Sequence, residues 1–166
     1  MSRVVLSIGS NLGDRMAHLQ GALDALAGRV EVIAVSGVYE TAPVGGPDQD
    51  DFLNAVVLAE SVLPPRDLLA LCQEVEAAHE RVREVRWGPR TLDVDIIAIE
   101  GVQLDDPELT VPHPRAHERA FVCVPWLDVD PDAVLPQGQV VDLPLDATGV
   151  ARRADLTLAA PGRGQS

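Results

Sequence analysis

The stretch "FLNAVVLAESVLPPRDLLALCQEV", Phe52 to Val75, carries two hydrophobic periods back to back. Phe52 to Leu63 is a mostly apolar run of strand length. Pro64-Pro65 then opens a helix, because a first turn tolerates proline. Leu68, Leu71, Cys72 and Val75 recur at helical spacing and form one buried stripe. A strand feeding directly into an amphipathic helix is half of a β-α unit, so the rest of the chain is read around it. Upstream, Val4 to Ile8 is a short apolar run, followed by the turn chemistry of Gly9-Ser10-Asn11-Leu12-Gly13-Asp14 and a helix cap. Leu19, Ala22, Leu23 and Leu26 line one face of a first helix, with Gly28 near its end. Val30 to Tyr39 reads as a second strand, and Thr41 to Asp51 as a loop rich in Pro, Gly and Asp. Downstream, Leu92 to Ile99 is a fourth strand. The order β-α-β-β-α-β predicts an α+β, ferredoxin-like antiparallel sheet with its helices on one face. Beyond Gly101 the prolines multiply and the reading is an irregular extension. Within it, a helical turn at Arg115 to Arg119 and a late hairpin near Val134 to Leu143 are expected. Residues 1–160 are expected to form one domain, with a frayed tail at 161–166.

Composition narrows the function. The chain has 166 residues, 46% of them hydrophobic, enough to fill one core. It carries 26 acids against 13 bases, a net charge of −13, and every base is arginine. Such a surface is a poor match for nucleic acid or an anionic membrane. No run is long enough for a membrane span, and the N-terminus does not read as a signal peptide, so the cytoplasm is expected. Cys72 and Cys123 read as small core residues, and Trp126 as core. His18, His79 and His117 read as surface or helix-face residues, and Arg152-Arg153 as a solvated pair. The arginines are uneven, with Arg81, Arg83, Arg86 and Arg90 close together and Arg115 and Arg119 following. A cationic cluster on an acidic chain suits one small polyanion, and the arginine fork suits phosphate oxygens.

Beside that cluster lies "RWGPRTLDVDI", Arg86 to Ile96. Alternation in a strand puts Asp93 and Asp95 on one face, roughly 6.6 Å apart along the chain, with Val94 and Ile96 on the other. Adjacent carboxylates repel unless a cation compensates. Mg²⁺ takes one or two carboxylates plus phosphate oxygens. A D-x-D pair by itself better fits two aspartates paired with arginines on a solvated edge, and the adjacent arginine cluster shifts the weight toward a metal–polyphosphate complex. No P-loop glycine pattern is present.

Four motifs in order, "SIGSNLGDR", "YETAPVGGPDQDDFLNAV", "RWGPRTLDVDI" and "LTVPHPRAHERAF", resemble the 6-hydroxymethyl-7,8-dihydropterin pyrophosphokinase family of folate biosynthesis. The resemblance runs from Val4 to Val134, and the chain beyond Leu135 adds little to it. It implies a monomeric enzyme that moves pyrophosphate from ATP to the pterin hydroxymethyl group, with two Mg²⁺ ions arriving with ATP. It implies that Asp93 and Asp95 hold the metal, and that Arg81 and Arg83 bring charge to the transferring group from a closing loop, sealed by Trp87. Arg90, His113 and Arg119 would bind phosphate, while Gln73 and Glu76 would border the nucleotide. Asn54 would read the pterin edge, helped by backbone groups at Thr41, Ala42 and Val44. Phe52 and Phe121 would sandwich the ring, with Ser10 and Asn11 nearby. Taken alone, both phenylalanines read as core, Asn54 as a turn residue and His113 as a loop histidine. The stretch from Arg83 to Trp87 is slightly shorter than in some members. Pro114 stands where some have a phenol, and Glu108 where some have an arginine. Two other readings remain open on the residues alone: a different Mg-dependent phosphotransferase, and a ferredoxin-like binding module without catalysis.

Overall fold

The computed structural model describes residues 1–42, 51–79 and 91–159. Its central sheet is antiparallel throughout. β1 (Ser2–Ser10) lies between β4 (Phe52–Ser61) and β5 (Asp93–Ile99), and β4 also pairs with β2 (Glu31–Val35) and β3 (Tyr39–Thr41). The expected second strand is therefore two short ones. The break falls at Ser36, whose hydroxyl accepts the Val56 N–H (2.8 Å) while its own N–H donates to the Val56 carbonyl (2.9 Å). A side chain thus takes one ladder position, and the chain re-enters the sheet beyond it.

Helix α1 (Arg15–Ala27) starts where Asp14 Oδ1 accepts the Ala17 N–H at 3.1 Å. Gly13 precedes that cap at φ +72°, a left-handed conformation that glycine adopts without strain. Helix α2 (Pro65–His79) follows β4 as expected. Both helices bury their predicted stripes against Val4, Leu6 and Ile8 of β1, Ala55 and Val57 of β4, and Val94 and Ile96 of β5. Each fully buried leucine there is worth about 1.5–3 kcal/mol over an exposed one. Cys72 lies in this core, and burial pushes its thiol up to about 12.

The opposite face carries the other half of the alternation: Val5, Val56, Leu58 and Ile97. The extension expected to be irregular covers it with helix α3 (Ala120–Val129), whose Val122, Cys123 and Trp126 pack onto those residues. The turn at Arg115–Arg119 is a 3-10 helix over Ala116–Glu118, preceded by a hairpin of β6 (Leu104–Asp105) and β7 (Thr110–Val111). The late hairpin is present as β8 (Val134–Leu135) and β9 (Gly138–Gln139). β10 (Val150–Arg152) then returns to the sheet edge beside β3.

The helix-face histidines His18 and His79 and the second of the two arginines at 152–153 have partners. His18 and His79 face each other, Nδ1 to Nδ1 at 2.9 Å, tying the start of α1 to the end of α2. Arg153 is no free solvated cation: it donates to Glu40 (3.1 Å) and Asp155 (2.8 Å). Among the described residues, no helix is long and apolar enough to cross a membrane.

Candidate active site

The sheet face under α3 changes character along its length. At one end it is apolar and covered. At the other, Ser7 and Gly9 of β1, Asn54 of β4, and Asp93 and Asp95 of β5 line a cavity of about 630 Å³. That volume is typical of small-molecule sites. The pairing explains the grouping. Gly9 stands opposite Asp93 on one side and Asn54 on the other, and Ser7 stands opposite Asp95. Residues from three adjacent strands therefore share one wall.

Asp93 and Asp95 both face this cavity, while Val94 and Ile96 are buried on the far side, as alternation predicts. Glu76 Oε2 accepts the Val94 N–H at 2.7 Å, anchoring the backbone between the two aspartates to α2. Just beyond, β5 carries one extra residue relative to β1, at Ile97. Its carbonyl accepts the His113 N–H (2.8 Å), and this bulge ties the loop after β7 to the strand with the aspartates. The Asp95 carboxylate has no hydrogen-bond or ion-pair partner among the described residues. No group of three or more His, Cys, Asp and Glu side chains gathers around a metal position among them either.

Thr41, Ala42, Phe52 and Phe121 line the same cavity. Asn54 Nδ2 donates to Thr41 Oγ1 at 2.7 Å, and both residues are buried. That bond fixes the amide and leaves its carbonyl oxygen for another partner. Gly9 makes the arrangement possible, because a Cβ there would meet Asn54 Oδ1 at 2.6 Å. Arg119 lines the cavity, with its guanidinium carbon 5.6 Å from the Phe121 ring centroid, and makes no ion pair with any described residue. His113 Nδ1 accepts the Arg115 N–H at 3.2 Å, so the neutral ring carries its proton on Nε2. Burial, then the Arg119 charge, lowers its pKa from the ordinary histidine value, against an opposing pull from Asp95.

The remaining expectations divide. Glu76 holds β5 rather than lining the cavity, Gln73 is exposed on α2, His113 stands outside the lining, and Asn11 and Ser10 are buried outside it. Glu108 pairs with Arg66 at 2.8 Å, away from the cavity. Val44, Arg81, Arg83, Trp87 and Arg90 lie outside the described residues. Arg115, expected only as part of the cationic cluster, also lines the cavity, and Ser7, Gly9, Glu118, Ala120, Asp146, Gly149 and Val150 line it without having been expected to. The first four of these fall inside quoted motifs. The last three carry no local signal.

Residues 5–131 match the family model for 7,8-dihydro-6-hydroxymethylpterin-pyrophosphokinase. The chain belongs to this family. It is 46% identical over 156 residues to the 2-amino-4-hydroxy-6-hydroxymethyldihydropteridine pyrophosphokinase of Methylorubrum extorquens, covering 92% of this chain and 99% of that one. The Mycobacterium tuberculosis protein of the same name is 50% identical over 145 residues, covering 81% and 76%. Among solved structures, the fold resembles the HPPK-DHPS of Plasmodium falciparum with pteroate, at TM-score 0.69 and 15% identity. That likeness covers 86% of this chain and 41% of the other, so the chain spans less than half of that structure, and the fold alone is compared.

Proposed function

We propose that this cavity is where the chain transfers pyrophosphate from ATP to the hydroxymethyl group of 6-hydroxymethyl-7,8-dihydropterin, in folate biosynthesis. The hydroxyl oxygen bonds to the β-phosphorus, the bond from that phosphorus to the α-phosphate oxygen breaks, and AMP leaves. The observation that carries the reading is one cavity wall bearing both an acidic pair and a preset amide beside two phenyl rings. A flat heterocycle needs the second set, and a metal–polyphosphate complex the first.

Asn54 reads the pterin's amide-like edge, with backbone groups of Thr41, Ala42 and Val44 beside it. Phe52 and Phe121 hold the ring faces. Asp93 and Asp95 are hard oxygen donors with a cavity in front of them, a set that fits Mg²⁺, and two ions are assigned to them. When bound, the metal neutralises phosphate charge and fixes the reacting oxygens. Arg119 and the Nε2–H of His113 take phosphate oxygens, with Arg90 beside them. Arg81 and Arg83 supply charge at the transferring group, and Trp87 is assigned to seal the nucleotide side, with Gln73 and Glu76 assigned to its border. Transfer of this kind is mostly positioning and charge stabilisation, so no covalent nucleophile is required. One cytoplasmic, monomeric domain suffices for these roles.

Asp95→Asn removes one metal-binding charge and keeps the shape. Turnover is expected to fall on the order of 10²-fold or more. Pterin binding, measured by quenching of pterin fluorescence, is expected to persist. Wild-type turnover in this variant contradicts the metal assignment.

A further inference from the structure

The family match ends at residue 131, yet the chain beyond it comes back to the cavity. Asp146 Oδ1 accepts the N–H (3.1 Å) and the hydroxyl (2.7 Å) of Thr148, forming a closed turn. The Val150 N–H donates to the Ala147 carbonyl at 3.0 Å, turning the chain into β10. There Val150 stands opposite Thr41, Ala151 opposite Glu40 and Arg152 opposite Tyr39. The short strand carrying Thr41 is thus paired on both edges, to β4 and to β10. A three-residue edge strand without such a neighbour is held weakly.

Side chains reinforce the pairing. Arg153 donates to one oxygen of Glu40 (3.1 Å), and Arg15 to the other (3.1 Å). Arg15 also donates to the Asp51 carbonyl at 2.8 Å, immediately before Phe52. The Arg153 N–H donates to the Val38 carbonyl at 2.8 Å. Hydrogen bonds from Arg15 first, then from Arg153, hold the Glu40 carboxyl below its ordinary pKa, so the bridge is charged at neutral pH. The returning segment, β3, the start of α1 and the approach to β4 are therefore linked through one carboxylate.

Asp146, Gly149 and Val150 line the cavity at its Thr41–Phe52 end. A Cβ on Gly149 would meet no described residue within 4 Å, and its φ lies outside the left-handed range. A side chain there would meet none of the described residues and would not strain the backbone.

We infer that residues 146–153 are the outer wall of the acceptor pocket: they position Thr41 through strand pairing, and Gly149 sets the size of acceptor admitted. This rests on the pterin reading above. The test is steady-state kinetics of Gly149→Ala and Gly149→Leu with ATP and 6-hydroxymethyl-7,8-dihydropterin, alongside melting curves. Gly149→Leu is expected to raise the pterin KM about tenfold or more, and Gly149→Ala by less. The ATP KM is expected to stay within about twofold, with kcat at saturating pterin largely kept. Arg153→Met, which releases Glu40 from the returning segment, is expected to raise the pterin KM with the same split. This variant carries the test if Gly149→Leu fails to fold. An unchanged pterin KM in all folded variants overturns the wall assignment and leaves the pterin reading intact. A wild-type protein that neither binds pterin nor forms AMP with it overturns both.

Discussion

Gly9 is the residue on which the Asn54–Thr41 bond depends. Its missing Cβ is the space that Asn54 Oδ1 occupies, 2.6 Å from where that carbon would stand. Gly9→Ala must therefore push the Asn54 amide away from its bond to Thr41, because the strand pairing leaves the backbone little freedom to yield. The pterin KM is expected to rise about tenfold, since a buried polar pair loses its geometry. ATP binding is expected to change little. Steady-state kinetics with both substrates varied separate the two, and an equal loss for ATP would contradict the role. Asn54, Asp93 and Asp95 were legible because each sits in a distinctive motif and strand alternation fixes its direction. The partner of Asn54 was less legible. Thr41 was expected to contribute backbone groups, whereas its hydroxyl accepts the amide, a contact that only the β3–β4 register creates.

Helices α1 and α2 were legible because each has a polar face against which the buried stripe stands out. Helix α3, "AFVCVPWLDV", has no such contrast: it lies between the sheet and the chain that follows it, and Leu135 and Val140 join its cluster. Pro125 within it also removes the N–H that would bond the Phe121 carbonyl, so the sequence reads as a break. Trp126→Ala opens that buried layer and is expected to cost about 3–5 kcal/mol in urea unfolding. A loss below about 1 kcal/mol would mean that α3 is not packed on the sheet as described. The contact between α1 and α2 adds a pH dependence. Two imidazoles joined Nδ1 to Nδ1 share one proton, and burial followed by the charge of His18 depresses the His79 pKa. Unfolded histidine binds the proton more readily, so this stability is full above about pH 6.5 and is lost as pH falls through the lower folded value. Melting temperature is expected to fall from about pH 7.5 to about pH 5.5, with a shallower fall in His79→Gln. His113, depressed by burial and Arg119, keeps part of the slope in that variant. Identical slopes in both proteins would contradict the pair's contribution.

At the scale of the whole molecule, one sheet serves two purposes through alternation. One face builds the α1–α2 core, and the other packs against α3 at one end and lines the cavity at the other. Charge and arginine spacing pointed to one small polyanion, in keeping with membership of a pyrophosphokinase family. What they could not give was the return of the C-terminal chain, since Val150–Arg152 is too short to carry a period and is placed by its partner strand. On this reading the cavity joins a pterin to two phosphoryl groups of ATP. The most direct measurement is product identity. Purified protein is mixed with ATP, MgCl₂ and 6-hydroxymethyl-7,8-dihydropterin, and the nucleotides are separated by anion exchange. The account predicts AMP, formed only when the pterin is present. ADP as the product, or AMP formed equally without the pterin, would contradict it.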